Sequence, residues 1–341
     1  MTFSVSKQAP WSDRRPAAGW LPLAVILLLT VAPAQAQQPA MLRDTSFTTY
    51  SAYAKARKQH PTSSIARPPV PASIRSRTNV PYCRLPEGRE LRLDVFYPKA
   101  RRQRPYPAVL LVHGGGWRSG DKTQHHAMAQ QLAARGFVAV TAEYQLSQEA
   151  PYPAAVQNLK AALRWLRAHA HPYGLDTARV AVWGFSAGGQ LAALVGTTNG
   201  NPLYETGTCF RSRSSQVQAI VDVDGILAFI HPESGEGDDS KGLSAATQWL
   251  GSSKLSNPEL WQQASALSHI GPGTPPMLFI NSGVARMHAG RDDARRQLTA
   301  LGIYSEEHTF PEAPHPFPLF NPWFAPTLEY TVTFLRKVFE H

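Results

Sequence analysis

The stretch that most constrains the fold of this chain is residues 184–188, which read Gly-Phe-Ser-Ala-Gly. An apolar run at 180–183 precedes it and a small-residue helical segment follows, so the pattern has the strand, turn and helix context of a nucleophile elbow. The glycines at both ends fit, because larger side chains there would collide with the neighbouring backbone. We therefore predict that Ser186 is an exposed nucleophile. The alternative is a glycine-rich turn with an idle serine.

A second glycine-rich turn lies about seventy residues upstream. Residues 107–112 predict a buried strand, which runs directly into His-Gly-Gly-Gly-Trp at 113–117. A turn of this type lets backbone N–H groups face a developing oxyanion and accompanies nucleophile elbows. We predict an oxyanion hole formed by the N–H groups of Gly115, Gly116 and Ala187. A plain tight turn is the alternative.

The candidate base comes late in the chain. Residues 306–310 predict a strand, and the proline-containing turn at 311–314 then leads to His315. A serine followed later by a histidine in the loop after the last strand is the order found in α/β-hydrolases. His308 is the competing histidine, but it lies inside the predicted strand, so we assign it a structural role and predict His315 as the base.

Several motifs together resemble one family, the hormone-sensitive-lipase-like esterases, and within it the feruloyl and acetyl esterase branch. The resemblance runs from about Asn79 to the C-terminus and rests on residues 113–122, 142–146, 152–155, 184–189 and 314–317. It implies an α/β-hydrolase fold, no metal and no cofactor. It also implies hydrolysis of an ester carried by a carbohydrate or another short-acyl substrate.

Alternating strand and helix patterns independently favour an α/β class with a mainly parallel central sheet and helices on both faces. Residues 197–215 and 225–274 interrupt the alternation, and we expect these insertions to form a small cap in which most aromatic side chains are packing residues. The catalytic domain is predicted to span residues 78–341.

The catalytic acid departs from the family pattern. Relatives have an aspartate shortly after the strand that corresponds to 277–282, whereas this chain has Arg286 there. An arginine cannot stabilise the imidazolium of the base. We favour Asp292 as the substitute acid, although Asp292 and Asp293 are also placed as first-turn residues of a helix.

Other assignments of the acid remain open on the sequence. Asp224 follows the predicted strand at 219–223, and some hydrolases of this fold take their acid from that strand. A Ser-His dyad without a strong acid is a further option. Arg286, with Arg291, is also a candidate for binding a carboxylate on the substrate.

The N-terminal residues differ in composition from the rest. Basic residues precede an apolar run at 20–31, and Ala-Gln-Ala at 34–36 is a small-x-small cleavage site, so residues 1–36 are predicted to be a signal peptide. The protein is then exported to the periplasm or the cell exterior. Residues 37–77 are polar and proline-rich, and we predict an extended arm or linker.

The net charge and the number of cysteines limit which partners and metal sites are expected. The formal net charge is +10, which favours anionic polymers such as pectin, although arginine-rich solubility is the simpler explanation. No basic run is interleaved with aromatic residues, so no nucleic acid partner is expected, and no membrane partner after signal cleavage. The two cysteines, Cys83 and Cys209, make a zinc site improbable, and the sequence leaves open whether they form a disulfide.

The predicted function is a secreted serine carboxylesterase acting on acetyl, feruloyl or methyl esters of plant polysaccharides such as pectin or xylan. Two alternatives are a short-chain esterase or formamidase-like amidase acting on small molecules, and a non-catalytic binding protein on a hydrolase scaffold. The oligomeric state is not predicted.

Overall fold

The computed structural model describes residues 44–100 and 102–340. The predicted signal peptide lies outside the described residues, as do residues 37–43 of the predicted arm. Within the described part of the chain, every helix is too short or too polar to cross a membrane.

A single large sheet forms the centre of the fold. Its eight strands lie in the order β2-β3-β5-β4-β6-β7-β8-β9. The pairings β2·β3 and β3·β5 are antiparallel, and all pairings from β5 to β9 are parallel. A separate two-stranded sheet pairs β1 with β10. The strands are β1 (Ser64–Ile65), β2 (Ile74–Arg84), β3 (Glu90–Pro98), β4 (Tyr106–Val112), β5 (Val138–Ala142), β6 (Leu175–Phe185), β7 (Ala219–Val223), β8 (Met277–Ser282), β9 (Ser305–Phe310) and β10 (Phe320–Asn321).

Helices connect the strands and cover the sheet. They are α1 (Thr49–Ala56), α2 (His126–Ala134), α3 (Ala154–Ala168), α4 (Ala170–Tyr173), α5 (Ala187–Thr197), α6 (Ala245–Leu250), α7 (Pro258–Gln263), α8 (Arg291–Ala300) and α9 (Phe324–Glu340). Short 3₁₀ helices span Lys122–His125, Ala266–His269, Ala285–His288 and Phe317–Leu319.

Successive side chains of the central strands point to opposite faces, and each face has its own hydrophobic core. Leu110 and Val182 pack with α3 and α5 in one cluster. Val109 and Ala181 pack with α2 and α9 in the other. Both faces of the parallel strands are therefore covered, which explains why these strands are apolar throughout rather than alternating. This architecture confirms the predicted mainly parallel sheet with helices on both faces.

The N-terminal segment differs from the predicted extended arm. Helix α1 begins at a capping box in which Thr48 and Ser51 exchange hydrogen bonds, and Ala52 and Ala56 are buried in the core. Strand β2 then starts at Ile74, inside the range predicted as linker. The polar composition of this stretch concealed a short helix that packs on the core and an edge strand that pairs with β3, the next strand along the chain.

Cys83 and Cys209 form a disulfide that joins β2 to the loop after α5. The same loop is held by a buried charge cluster, in which Lys160 and Arg164 of α3 both bond the carboxylate of Glu205. The pKa of Glu205 is lowered: burial acts to raise it, but hydrogen bonds from Ser215 and Lys160 together with the two nearby cations outweigh burial. The disulfide and the ion pairs therefore anchor one predicted insertion to the scaffold.

Gly184 and Gly188 lie so close to neighbouring backbone atoms that neither position has room for a side chain. A Cβ at Gly188 would lie 2.2 Å from the carbonyl oxygen of Val112, and one at Gly184 would lie 1.8 Å from that of Gly188. Neither contact is with a flexible side chain, so the strand and helix would have to separate. The prediction that larger residues at 184 and 188 would collide is confirmed.

Replacing Gly188 with alanine is therefore expected to destabilise the fold by about 3 kcal/mol and to displace the turn that carries Ser186. Urea unfolding of the purified variant measures this loss. Gly273→Ala is the matched control, because a Cβ there meets nothing within 4 Å, and its stability should stay within about 0.5 kcal/mol of wild type. Equal stabilities of the two variants would contradict the packing argument.

Candidate active site

Ser186 lies in the sharp turn between β6, at the middle of the sheet, and α5. Its backbone has φ 58° and ψ −124°, a left-handed conformation that non-glycine residues seldom adopt. Its N–H donates to the carbonyl oxygen of Val223 at 2.9 Å, which fixes the turn against β7. The hydroxyl is thereby held at the carboxyl end of the sheet, above the strand ends, as predicted for a nucleophile elbow.

His315 connects the serine to a carboxylate. Its Nε2 lies 2.8 Å from Ser186 Oγ, and its Nδ1 lies 2.8 Å from Asp224 Oδ2. The ring of Phe185 lies beside the imidazole, with ring centroids 5.0 Å apart. The loop after β9 therefore delivers His315 to the serine as predicted. His308 instead stacks on Tyr330, in keeping with its predicted structural role.

Asp224 is the carboxylate that orients His315, and it is fully buried. It follows β7 directly and has a positive φ of 52°. Its other oxygen, Oδ1, accepts the N–H of Ser282 at 2.7 Å and lies 3.4 Å from Nδ2 of Asn281. These donors from β8 fix the carboxylate and leave Oδ2 for the imidazole. Ser186, His315 and Asp224 thus have the hydrogen-bond order of a Ser-His-Asp triad.

A second buried aspartate lies two residues before Asp224. Burial raises the pKa of Asp222 well above its ordinary value, and the nearby charge of Asp224 adds to this effect, although the N–H of Gly225 donates to its carboxyl group and acts in the opposite direction. A carboxyl group in these surroundings favours its neutral form. Asp222 therefore supports the turn after β7, while Asp224 faces the imidazole.

The choice of Asp292 as the acid is corrected by the structure. Asp292 lies in the first turn of α8 with 57% of its side chain exposed, and it accepts a hydrogen bond from Arg291 Nε at 2.9 Å. That hydrogen bond lowers the pKa of Asp292, whereas partial burial acts against it. Asp293 is bonded to His231 at 3.0 Å. Both carboxylates are held by neighbours outside the triad.

Arg286 occupies the 3₁₀ helix after β8, at the position where the family resemblance implied an acid. Its Nη1 lies 2.9 Å from Glu236 Oε1, and both side chains line the cavity at Ser186. Arg291 does not join it: its guanidinium bonds Asn281 and Glu307 instead. The sequence suggests both arginines as candidates for binding a substrate carboxylate, but only Arg286 lines the cavity at Ser186.

The glycine-rich loop forms one wall of this cavity, whose volume is about 330 Å³. Ser119 bonds the carbonyl oxygen of Gly115 through both its N–H and its hydroxyl, at 3.0 and 2.7 Å. Because the peptide is planar and trans, the N–H of Gly116 points the opposite way. Ala187 is the first residue of α5, and the N–H groups of the first helical turn have no acceptor within the helix. Gly115, Gly116 and Ala187 all line the cavity, as expected for an oxyanion hole.

Aromatic packing supports the same wall. Trp117 stacks on Trp249 of the cap with ring centroids 5.0 Å apart, and its Nε1 donates to Gln190 at 3.0 Å. Phe229 and Trp249 are fully buried, in agreement with the prediction that the cap aromatics are packing residues.

Sequence reasoning missed Gln190, which lines the cavity one helical turn after Ser186. The four-residue spacing from Ser186 was the signal that could have identified it.

Carboxylates and imidazoles of the described residues form no cluster of three or more that could hold a metal ion. Every group in the triad is instead satisfied by another protein group. The residues present fit acyl transfer by a serine nucleophile, with charge developing in front of the glycine-rich loop.

Comparison with known proteins agrees with this geometry. The BD-FAE family model matches residues 93–285. Esterase LipC of Mycobacterium tuberculosis is 30% identical over 220 residues, covering 63% of this chain and 53% of LipC. Carboxylesterase NlhH of the same species is 38% identical over 108 residues, covering 31% of this chain and 33% of NlhH. The chain spans about half the length of LipC and of two further esterase relatives of the same species, LipM and LipQ.

Solved structures show the same fold. A truncated form of a carbohydrate esterase from gut microbiota superposes with a TM-score of 0.64 at 22% identity, over 77% of this chain and 96% of that one. Thermogutta terrifontis esterase 2 phosphonylated by sarin superposes with a TM-score of 0.65 at 25% identity, over 80% and 96%. The fold is therefore the α/β-hydrolase fold. The family model covers more than half of the sequence, and the chain belongs to the BD-FAE family.

Proposed function

We propose that this chain is an exported serine carboxylesterase that removes acyl groups, acetyl foremost and feruloyl or methyl esters as further candidates, from plant polysaccharides such as pectin or xylan. The observation that carries the proposal is the continuous hydrogen-bond chain Ser186–His315–Asp224 at a cavity lined by the glycine-rich loop. The family and its esterase relatives support the reaction class.

The geometry supports a two-step mechanism. Ser186 Oγ attacks the ester carbonyl while His315 Nε2 accepts its proton, and Asp224 stabilises the imidazolium through Nδ1. The oxyanion is bound by N–H donors of the loop and of Ala187. Collapse of the intermediate breaks the ester C–O bond, and His315 protonates the leaving alcohol. Water then repeats the sequence on the acyl-enzyme and releases the acid.

The polymeric substrate is supported by three separate features. One structural neighbour is a carbohydrate esterase. The formal net charge is +10 for the whole sequence and +8 once the three basic residues and the one acidic residue of the predicted signal peptide are removed, which favours association with anionic polymers. The Cys83–Cys209 disulfide and the predicted signal peptide are typical of proteins that reach an oxidising compartment. A plant cell-wall ester would be met by such an exported protein.

The test is acid release by the protein from acetylated pectin, acetylated xylan and feruloylated arabinoxylan, with Ser186→Ala as the control. We expect acetate release from an acetylated polymer that disappears in the variant. Hydrolysis of short esters without release from any polymer would replace the polymer with a small-molecule substrate. Activity on N-formylkynurenine alone would indicate an amidase of the formamidase type.

A further inference from the structure

The cavity at Ser186 contains one ion pair beside the triad histidine. Among the described residues that line the cavity, the charged side chains are Glu236 and Arg286, and His315 is the other titratable one. Their contact is a single hydrogen bond of 2.9 Å, from Nη1 of the arginine to Oε1 of the glutamate. The other lining residues are apolar or neutral, so this pair is the strongest electrostatic feature that a bound substrate would meet.

The contact with Glu236 uses only part of the hydrogen-bonding capacity of Arg286. A guanidinium carries five N–H donors in a planar fork that matches a carboxylate, and the bond to Glu236 occupies one of its nitrogens. The side chain is 51% exposed, whereas that of Glu236 is 17% exposed. Gly235 gives the arginine room, because even an added Cβ there would lie 3.4 Å from Arg286 Cδ. Donors of Arg286 therefore remain accessible from the cavity.

A purely structural purpose explains this pair poorly. Ion pairs with half-exposed partners add little to stability, because solvent screens the charges and ordering the side chains costs entropy. The pair also lies on the cavity wall, next to Met287, and not in either hydrophobic core. A cation placed beside the reacting serine but outside the triad is suited to binding a part of the substrate that does not react.

We propose that Arg286 binds a carboxylate on the non-reacting part of the substrate, so that the site prefers esters carried on uronate sugars over the same esters on neutral sugars. Glu236 holds the arginine at the cavity wall and competes with the substrate carboxylate for it. This inference rests on the proposed function, since it specifies which sugar carries the ester. It assigns Arg286 to substrate recognition.

Two substrates that differ only at C6 of the sugar, which is a carboxylate in one and a hydroxymethyl group in the other, test this assignment: the methyl glycosides of galacturonate and of galactose, each acetylated at the same hydroxyl. The measured quantity is the ratio of kcat/KM for the uronate ester to that for the neutral ester. Arg286→Gln is expected to lower this ratio tenfold or more through KM, because a bidentate charge-assisted contact is lost. Arg286→Lys should retain part of the preference, since the charge stays but the planar fork does not.

Glu236→Gln is the discriminating variant. If Glu236 competes with the substrate, its neutralisation raises the ratio, the opposite sign to Arg286→Gln. Arg296→Gln is the matched control, because this arginine is 72% exposed and bonds Asp293 outside the cavity, so the ratio should not change. The wild-type preference should also fall as salt is raised, since the cavity mouth is open to solvent.

The inference is overturned if Arg286→Gln leaves the ratio unchanged, or if Glu236→Gln lowers it as much as Arg286→Gln, which is the result of a merely structural pair. Failure of the proposed function gives a different result, in which the wild-type protein hydrolyses neither sugar ester. That outcome removes both proposals, whereas hydrolysis of both esters with an insensitive ratio removes only this one.

Discussion

Replacing Ser186 with alanine is expected to lower kcat for ester hydrolysis by roughly 10⁵-fold. The hydroxyl is the only group in the site placed both 2.8 Å from the imidazole and beside the glycine-rich loop, as far as the described residues show. In the variant the oxyanion donors can still bind the transition state, but the nucleophile that attacks the ester is absent. Initial rates with 4-nitrophenyl acetate measure the effect.

The control for this variant is its structure. Ser186 is partly exposed and its side chain bonds His315, so far-ultraviolet circular dichroism and thermal unfolding should match wild type. A folded Ser186→Ala protein that retains a tenth of the wild-type rate would contradict the assignment of the nucleophile.

Replacing Asp224 with asparagine is expected to lower kcat by about 10⁴-fold with little change in KM. The amide can donate to His315 Nδ1, which favours the tautomer with its proton on Nε2, and this tautomer cannot accept the proton of Ser186. The charge that stabilises the imidazolium is lost as well. Steady-state kinetics over pH 6 to 9 separate this effect from a shifted optimum.

Asp292→Asn is the matched control for the acid. Asp292 is solvent-exposed and bonded to Arg291, so this variant should stay within about twofold of wild type. A large loss with Asp292→Asn, together with a small one with Asp224→Asn, would contradict the triad and restore the acid favoured on the sequence.

Local patterns were sufficient to predict much of this site. A side chain at Gly184 would collide with the turn itself, and one at Gly188 would collide with the end of β4, so the Gly-x-Ser-x-Gly spacing has a physical reason. The strand at 107–112 and the glycines after it were likewise predictable, because the apolar run and the turn motif are contiguous in the sequence. His315 was predictable because chain order and a turn after a strand are visible in the sequence.

The acid was not predictable in the same way. Asp224 and Asp292 both follow apolar strands, and an aspartate at either position is also expected as a turn or first-turn residue. What distinguishes them is three-dimensional: β8 lies beside β7 in the sheet, so Ser282 and Asn281 reach Asp224 and fix it. Sheet pairing of this kind is a long-range contact with no local signature.

Two further features were hidden for related reasons. Residues 44–77 looked like a linker because the stretch contains several prolines and basic residues, yet β1 pairs with β10 from the far end of the chain. Glu236 meets Arg286 from a loop fifty residues earlier in the sequence. In both cases the partner lies too far along the chain for spacing or periodicity to indicate it.

The central claim is that Ser186 is the nucleophile of a working triad, and covalent labelling tests it most directly. The protein is treated with a fluorophosphonate, which reacts with activated serines and not with ordinary ones, and the intact mass and the modified peptide are measured. The account predicts a single adduct on Ser186 in wild type, strongly slowed labelling in Asp224→Asn, and wild-type labelling in Asp292→Asn. An unlabelled wild-type protein, or an adduct on another residue, would contradict it.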